Sequence, residues 1–180
     1  MDQLVTAWIN AGAGSHPWLD PVLVALTGAG VPVMVALVAL QWFSGPDRRH
    51  IRHVVVTAGL AFLSGLALNQ VILLEVHRIR PYAAGITHLI VPPSADWSFP
   101  SDHATAAFAV VFAFALQGLR VRTAGFLVLA VLICLSRVYI GTHYVSDILG
   151  GMATALIATV IVRRTYVKDS RLDRFVTGIL

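Results

Sequence analysis

The stretch SRVYIGTHYVSDILGG, residues 136–151, places a histidine and an aspartate four positions apart between two apolar segments. Residues with this spacing share one face of a helix. The Asp147 carboxylate can then hold one ring nitrogen of His143 as an N–H and leave the other nitrogen as a nucleophile. The spacing predicts an oriented, nucleophilic histidine, with Arg137 six residues before it.

Other side chains in the chain suit the binding of a phosphate ester. The planar guanidinium groups of Arg80 and Arg137 match phosphoryl oxygens. Pro100 fits the first position of a helix whose free N–H groups would point at the same anion, with the Ser101 hydroxyl as a further donor. His103 lies on a different predicted helix from the nucleophile and is free to act as general acid. We therefore expect phosphoryl transfer through a phosphohistidine, without a metal or a cofactor.

Several nearby polar residues allow more than one interpretation. Arg78 either extends to lipid headgroups or helps to bind a second phosphate. Asp102 is a candidate phosphate-site residue, although a favourable place in the first turn of a helix explains it better than catalysis does. Asn69, Gln70 and Glu75 are expected to make polar contacts between helices. A histidine-ligated metal or haem is disfavoured because the histidines come with three arginines.

The composition indicates which elements must position these residues. Hydrophobic residues make up 57% of the 180 residues and charged residues 12%, and the mean hydropathy is +0.78. Such a chain is too apolar for an ordinary soluble domain of this length. The single cysteine, Cys134, lies within an apolar run and supports neither a disulfide framework nor a cysteine metal site. We expect an all-α, polytopic helix bundle in a membrane.

The apolar runs predict about five spanning helices in a single domain. A spanning helix needs roughly 20 residues, so the shorter runs must extend into their polar flanks. Residues 1–16 are predicted to form a short amphipathic helix at the membrane surface, residues 17–166 the transmembrane core, and residues 167–180 a cytoplasmic tail. The apolar runs cover about residues 22–43, 54–74, 104–119, 124–141 and 148–162.

The basic residues predict the orientation of the bundle. With an odd number of spans, ten of the 13 Lys and Arg residues fall on one side, which the positive-inside tendency makes cytoplasmic. Arg78, Arg80 and Arg137 remain on the outer side, where four helix ends bring the candidate site together. The charge thus reflects topology, and we expect no nucleic-acid partner. The ten inner basic residues are Arg48, Arg49, Arg52, Arg120, Arg122, Arg163, Arg164, Lys168, Arg171 and Arg174.

Three motifs resemble the signatures of the type 2 phosphatidic acid phosphatase superfamily. These are RIRP at 78–81, PSDH at 100–103 and the run from Ser136 and Arg137 through His143 to Asp147. The resemblance implies His143 as nucleophile, Asp147 as its partner and His103 as acid and then base. It also implies phosphate binding by Arg80, Ser101 and Arg137. The first signature of the superfamily normally begins with a lysine where this chain has Leu73, and Arg78 is the residue that could compensate.

The stretches RPYAAG, DWSFPSDHAT and RVYIGTHYVSDILGG are most similar to the bacitracin-resistance type of undecaprenyl pyrophosphate phosphatase. That resemblance implies hydrolysis of a lipid pyrophosphate at the outer face of a bacterial plasma membrane, in support of cell-wall synthesis. Phosphatidylglycerol phosphate, phosphatidic acid or another prenyl phosphate are alternative substrates. A non-catalytic headgroup binder or a transporter is the alternative from another class. The sequence leaves the preferred lipid, other phosphate acceptors and the oligomeric state open.

Overall fold

The computed structural model describes residues 1–179, and these residues form helices and loops without a β-strand. The all-α prediction is therefore confirmed for this part of the chain. A short 3-10 helix, Gln41–Phe43, extends the second α-helix. The α-helices are α1 (Asp2–Asn10), α2 (Leu19–Leu40), α3 (Arg48–Glu75), α4 (Asp102–Leu116), α5 (Arg120–Tyr139), α6 (Val145–Thr165) and α7 (Arg171–Thr177).

Four of these helices are long and apolar enough to cross a membrane: α2 with its 3-10 extension, α3, α5 and α6. The fifth predicted span, α4, has only 15 residues, fewer than the roughly 20 that a bilayer requires. It packs against α3, α5 and α6, and most of its residues are buried. The short helix is thus enclosed by the longer ones, which turn apolar side chains outward.

Small residues allow α4 to lie close to its neighbours. Five of its buried residues are alanines, which let helix backbones approach one another. Gly151 of α6 faces the start of α4, and a Cβ at this position would lie 2.6 Å from the carbonyl oxygen of Ser101. The close contact of α6 with α4 joins the segment containing His143 to the segment containing Ser101 and His103.

One end of the bundle collects the basic segments and is called the inner end below, and the opposite end is called the outer end. His50 Nε2 lies 3.4 Å from the Gln117 carbonyl, and Arg122 contacts Ser44. The predicted tail 167–180 contains α7, which is held to α3 by a contact between Asp173 and His53. Leu180, the last residue of that range, lies outside the described residues.

The outer end is formed by two loops and α1. The long loop 76–101 crosses the helix ends and bonds to the α5–α6 loop, residues 140–144, through Ile90 N and the Ile140 carbonyl at 3.3 Å. Gly141 has a φ of +89° and lies against the backbone of His88, where a larger residue would be strained. These contacts hold the His143 loop against the loop that leads into α4.

Candidate active site

His143 lies in the α5–α6 loop and is almost completely buried. Its Nδ1 atom is 2.9 Å from the Ser98 carbonyl, and because a carbonyl only accepts, Nδ1 carries the proton. Nε2 keeps its lone pair and lies 3.4 Å from a guanidinium nitrogen of Arg80. Burial, reinforced by the charges of Arg137 and Arg80 and opposed by the interaction of the ring with the Asp147 carboxylate, lowers the pKa of His143 to about 4. The imidazole is therefore neutral at pH 7, as a nucleophilic histidine must be.

Asp147 does not hold the histidine ring in the direct way that the spacing predicted. The Asp147 Oδ2 atom is 3.5 Å from His143 Nδ1, and the Ser98 carbonyl takes the closer hydrogen bond. The same carboxylate accepts from the Ser98 hydroxyl at 2.5 Å and from the Tyr144 amide at 2.8 Å. Helix α6 begins at Val145, so His143 precedes it and the i, i+4 geometry of a helix face does not apply. Asp147 instead fixes Ser98, whose carbonyl orients the ring.

A pocket of about 130 Å³ opens in front of His143. Pockets for whole drug-sized ligands measure about 300–1,000 Å³, so this one fits a small anionic group rather than an entire lipid. The candidate residues His103, Arg80, Asp102 and Arg137 share its wall. The complete lining is Leu73, Arg80, Ser94, Asp96, Trp97, Pro100, Asp102, His103, Arg137 and His143.

Two donors near this pocket have no partner in the described part of the chain. The Nε atom of Arg137 is buried and unpaired, and so is the hydroxyl oxygen of Ser101. Ser101 is the N-cap residue of α4, yet its side chain does not cap the helix. A buried donor without a partner is unfavourable, and an anion in the pocket would relieve that cost. Both residues are therefore suited to the predicted role in phosphate binding.

Arg80, by contrast, has all of its donors engaged. Its Nε donates to the Asp96 carbonyl at 3.0 Å, and one terminal nitrogen donates to the Asp96 carboxylate at 2.8 Å. The remaining donors reach the carbonyls of Thr142 and Trp97 and the Nε2 of His143. The pKa of Asp96 is lowered because bonds from Ser94 and the charge of Arg80 outweigh its burial. Arg80 can bind phosphate only if the anion replaces some of these partners.

His103 is held from the other side of the pocket. Its Nε2 lies 3.2 Å from the Thr27 carbonyl of α2, so this nitrogen carries a proton. Nδ1 has no hydrogen-bond partner among residues 1–179 and remains available for proton transfer. The Thr27 carbonyl still accepts the Nε2 proton when the His103 ring is protonated on both nitrogens, which is the form that a general acid needs.

The start of α4 differs from the prediction. The helix begins at Asp102 with Ser101 as N-cap, so Pro100 lies before the cap rather than at the first helical position, and its peptide bond with Phe99 is cis. Asp102 accepts a hydrogen bond from Asn69 Nδ2 at 2.7 Å. Its place in the first helical turn and its contact with α3 explain it, and the expected interhelical role of Asn69 is confirmed.

Arg78 does not line the pocket. Its guanidinium bonds to Asp147 at 2.6 Å, to Ser146 at 2.6 Å and to Asp2 at 2.7 Å. The group thus lies behind Asp147, and this position does not support the predicted contact with phosphate. Leu73 does line the pocket, so an apolar side chain stands where the resemblance leads one to expect a lysine.

Sequence reasoning missed Ser98, Asp96 and Thr27. Ser98 belongs to the SFPSDHAT stretch that carries the resemblance. The sequence therefore drew attention to its position but did not indicate that its carbonyl orients His143. The contribution of Thr27 comes from a backbone carbonyl, which any residue provides. Asp96 lies in a loop whose fold had no sequence signal.

Residues 52–171 match the PAP2 superfamily. The chain belongs to this superfamily. Its relatives include the undecaprenyl-diphosphatase BcrC of Bacillus subtilis, 30% identical with 77% of this chain and 70% of that protein covered. Phosphatidylglycerophosphatase B of Bacillus subtilis is 29% identical, with 89% and 80% covered. The PAP2 chain is accordingly a phosphohydrolase.

A solved structure has the same fold. The crystal structure of a transmembrane PAP2 type phosphatidylglycerolphosphate phosphatase from Bacillus subtilis superposes with a TM-score of 0.66 at 24% identity, covering 94% of this chain and 86% of that chain. Together with the four helices of spanning length, the relatives make this PAP2 protein a multi-pass membrane protein. The likeness at this identity shows the fold and leaves the substrate to be argued from the site.

Proposed function

We propose that this PAP2 protein is a membrane lipid phosphatase that hydrolyses undecaprenyl pyrophosphate to undecaprenyl phosphate through a phosphohistidine. The observation that carries the proposal is a pocket lined by His143, with its Nε2 lone pair, and by Arg137, whose Nε is a buried donor without a partner in the described residues; the unpaired Ser101 hydroxyl stands in the chain between the lining residues Pro100 and Asp102. A neutral nucleophile facing unpaired anion-binding groups suits phosphoryl transfer. The similarity to BcrC favours the pyrophosphate substrate.

In the first step, His143 Nε2 attacks the terminal phosphorus in line with the bridging oxygen. An N–P bond forms as the bridging P–O bond breaks, and His103, which enters this step protonated on both ring nitrogens, gives its Nδ1 proton to the departing lipid phosphate oxygen. Arg137, Ser101 and, after release from Asp96, Arg80 bind the equatorial oxygens of the transferring group. His143 Nδ1 keeps its proton and donates it in a hydrogen bond to the Ser98 carbonyl, which stabilises the positive charge that develops on the ring.

In the second step, a water molecule attacks the phosphohistidine. His103, now unprotonated at Nδ1, takes a proton from this water as the O–P bond forms and the N–P bond breaks. Inorganic phosphate leaves, His143 regains its lone pair and His103 regains its proton. The same residue serves as acid and then as base because the two steps run in opposite directions.

A pyrophosphate suits this pocket better than a phosphate monoester does. Cleavage of the diphosphate expels a lipid monophosphate, which is less basic than an alkoxide and needs less help from the acid. Leu73 leaves the pocket with one cation fewer than the superfamily signature would supply. A reaction with a better leaving group tolerates this loss more easily.

The site is proposed to face the outside of a bacterial plasma membrane. Ten of the 13 Lys and Arg residues lie in segments at the opposite, inner end, and basic residues favour the cytoplasmic side. An outward site would act on a carrier lipid released during wall synthesis, and loss of the lipid pyrophosphate would oppose bacitracin. Labelling of a single cysteine introduced in loop 76–101 by a membrane-impermeant reagent tests this orientation in intact cells.

Phosphate release from a panel of lipids in detergent micelles tests the substrate. We expect the purified protein to prefer undecaprenyl pyrophosphate over phosphatidylglycerol phosphate, phosphatidic acid and a prenyl monophosphate. A preference for phosphatidylglycerol phosphate would instead agree with the second relative and overturn the pyrophosphate assignment. His143→Ala gives the background: turnover is expected to vanish, whereas a headgroup binder or transporter would retain its function.

A further inference from the structure

Helix α1 presents a polar stripe to the protein. Asp2, Thr6 and Asn10 are spaced four apart and therefore share one helix face; they are called the α1 stripe below. Thr6 and Asn10 are buried. The opposite face is apolar, with Leu4 75% exposed and Trp8 78% exposed. The polar side of this amphipathic helix thus points inward, opposite to the arrangement in a soluble protein.

Each residue of the α1 stripe bonds to the segment that contains His143. Asn10 donates to the Tyr139 carbonyl at 2.6 Å, at the end of α5. The Thr6 hydroxyl accepts from the Val145 amide at 3.1 Å, and Asp2 accepts from the Ser146 amide at 3.0 Å. The α1 stripe therefore spans the α5–α6 loop from one end to the other and satisfies two amides in the first turn of α6.

Arg78 joins the α1 stripe to Asp147. One terminal nitrogen is 2.7 Å from Asp2 Oδ2 and the other is 2.6 Å from Asp147 Oδ1. Its guanidinium also lies over the Tyr144 ring, 3.9 Å from the centroid. Asp147 is fully buried, and a buried carboxylate needs a paired cation to remain charged and fixed. Arg78 is the cation that pairs with it.

We propose that Arg78 and Asp2 are positioning residues that set the orientation of His143 through Asp147 and Ser98. Asp147, held by Arg78, accepts the Ser98 hydroxyl at 2.5 Å, and the Ser98 carbonyl holds the ring at 2.9 Å. Asp2 fixes Arg78 and the start of α6 together. This inference rests on the proposed nucleophilic role of His143. It assigns α1 a part in the chemistry and replaces the predicted phosphate contact of Arg78.

Steady-state kinetics of Arg78→Met and Asp2→Asn test the proposal. Because neither residue lines the pocket, kcat should fall while KM stays nearly constant. A displaced nucleophile can cost roughly 100-fold, which we expect for Arg78→Met, and a smaller loss for Asp2→Asn, which keeps the shape of the side chain. The double variant should be no worse than Arg78→Met, since both changes break one chain of contacts.

Arg78→Lys separates positioning from folding. A lysine keeps the charge beside Asp147 but cannot bridge two carboxylates as a guanidinium does, so its kcat should lie between those of the wild type and Arg78→Met. Gln3→Ala, on the exposed face of α1, is the matched control and should leave kcat and KM unchanged. Thermal melting in the same detergent identifies any variant that is not folded.

Three results would overturn the proposal. A raised KM with unchanged kcat in Arg78→Met would show that Arg78 binds substrate. Kinetics of Asp2→Asn equal to those of Gln3→Ala would remove α1 from the mechanism. Full activity of folded Arg78→Met beside an inactive His143→Ala would refute the positioning role alone, whereas an active His143→Ala would refute the proposed function itself.

Discussion

The two ends of the bundle each hold a buried histidine beside a buried aspartate. At the inner end, His53 Nδ1 lies 2.9 Å from Asp173, and its Nε2 lies 3.3 Å from the side-chain nitrogen of Gln117. Both ring nitrogens are therefore occupied by stable neighbours. The Tyr166 ring stacks on the imidazole, and its hydroxyl donates to the same aspartate. This cluster ties α7 to α3 and α6.

At the outer end, His143 lies farther from its aspartate, at 3.5 Å, yet this is the pair that we propose to be reactive. Its Nε2 has only the 3.4 Å contact from Arg80, which an anion can replace. Arg137 provides an unpaired donor in the wall of the same pocket, and the unpaired Ser101 hydroxyl stands in the chain between the lining residues Pro100 and Asp102. A histidine–aspartate pair alone thus does not identify an active site; what distinguishes the outer pair is the replaceable contact on Nε2 together with the unpaired donors of Arg137 and Ser101.

Replacing each of the two histidines in turn should give the largest difference between the two ends. We expect His143→Gln to reduce kcat by about 10⁴-fold or more, because the nucleophile is lost, with little change in the melting temperature. His53→Gln should leave kcat unchanged and lower the melting temperature, because the contacts to Asp173 and α7 are weakened. Phosphate release and thermal melting on the same preparations measure both. Equal kinetic losses in the two variants would show that the inner cluster also contributes to catalysis.

Helix α5 offers a similar contrast with two arginines. Arg122 near its start and Arg137 near its end each have one buried nitrogen without a partner. Only Arg137 lines the candidate pocket, so Arg137→Met should lower kcat/KM by roughly 10²–10³-fold, as expected for a donor that stabilises the transition state. Arg122→Met should keep kcat/KM. A comparable loss in Arg122→Met would mean that the loss follows from damage to α5 rather than from the missing phosphate contact.

The comparison also shows what the sequence could predict. The outer cluster could be predicted from the residue types and their order. Membrane topology does not explain arginines that lie opposite to the basic inner loops, and the spacing of the motifs indicated a phosphate site. The helical bundle followed from the apolar runs. His53 and Asp173 carried no such signal: they are 120 positions apart and belong to no recognised motif. Their contact depends on α7 folding back against α3.

Two details of the site depended on backbone position, which residue types do not report. The direct Asp147 bond was expected because a spacing of four fits a helix, but α6 begins only after His143. The carbonyls of Ser98 and Thr27 orient the two histidines, and a carbonyl is common to every residue. Asp2 was not expected near the site because an interfacial helix is predicted from its apolar face. It is the polar face of α1 that contacts the start of α6 and Arg78.

Ser101→Ala tests whether the unpaired hydroxyl serves the substrate. A hydrogen bond to a charged group is worth enough to predict a roughly 10–100-fold loss in kcat/KM, while stability should not fall, because the hydroxyl has no partner within residues 1–179. Thr159→Ala is the control, since that hydroxyl is buried but bonded to the Ala155 carbonyl at 2.7 Å. It should affect the melting temperature rather than turnover. The opposite pattern would make Ser101 a structural residue.

The smallest expected effect concerns Asp96, whose carboxylate accepts a hydrogen bond from Arg80, whereas the Nε of Arg137 in the same pocket is unpaired. The Asp96 carboxylate is 55% exposed and 2.8 Å from Arg80, so it competes with an incoming phosphate for the guanidinium. Asp96→Asn keeps the shape and removes the charge, and we expect KM to fall by about two- to fivefold, the range of an exposed ion pair. Asp20→Asn removes a charge at the same end of the bundle, where Asp20 bonds Tyr139 instead of lining the pocket, and should leave KM unchanged. A raised KM in Asp96→Asn would mean that Asp96 holds Arg80 in its binding position rather than competing for it.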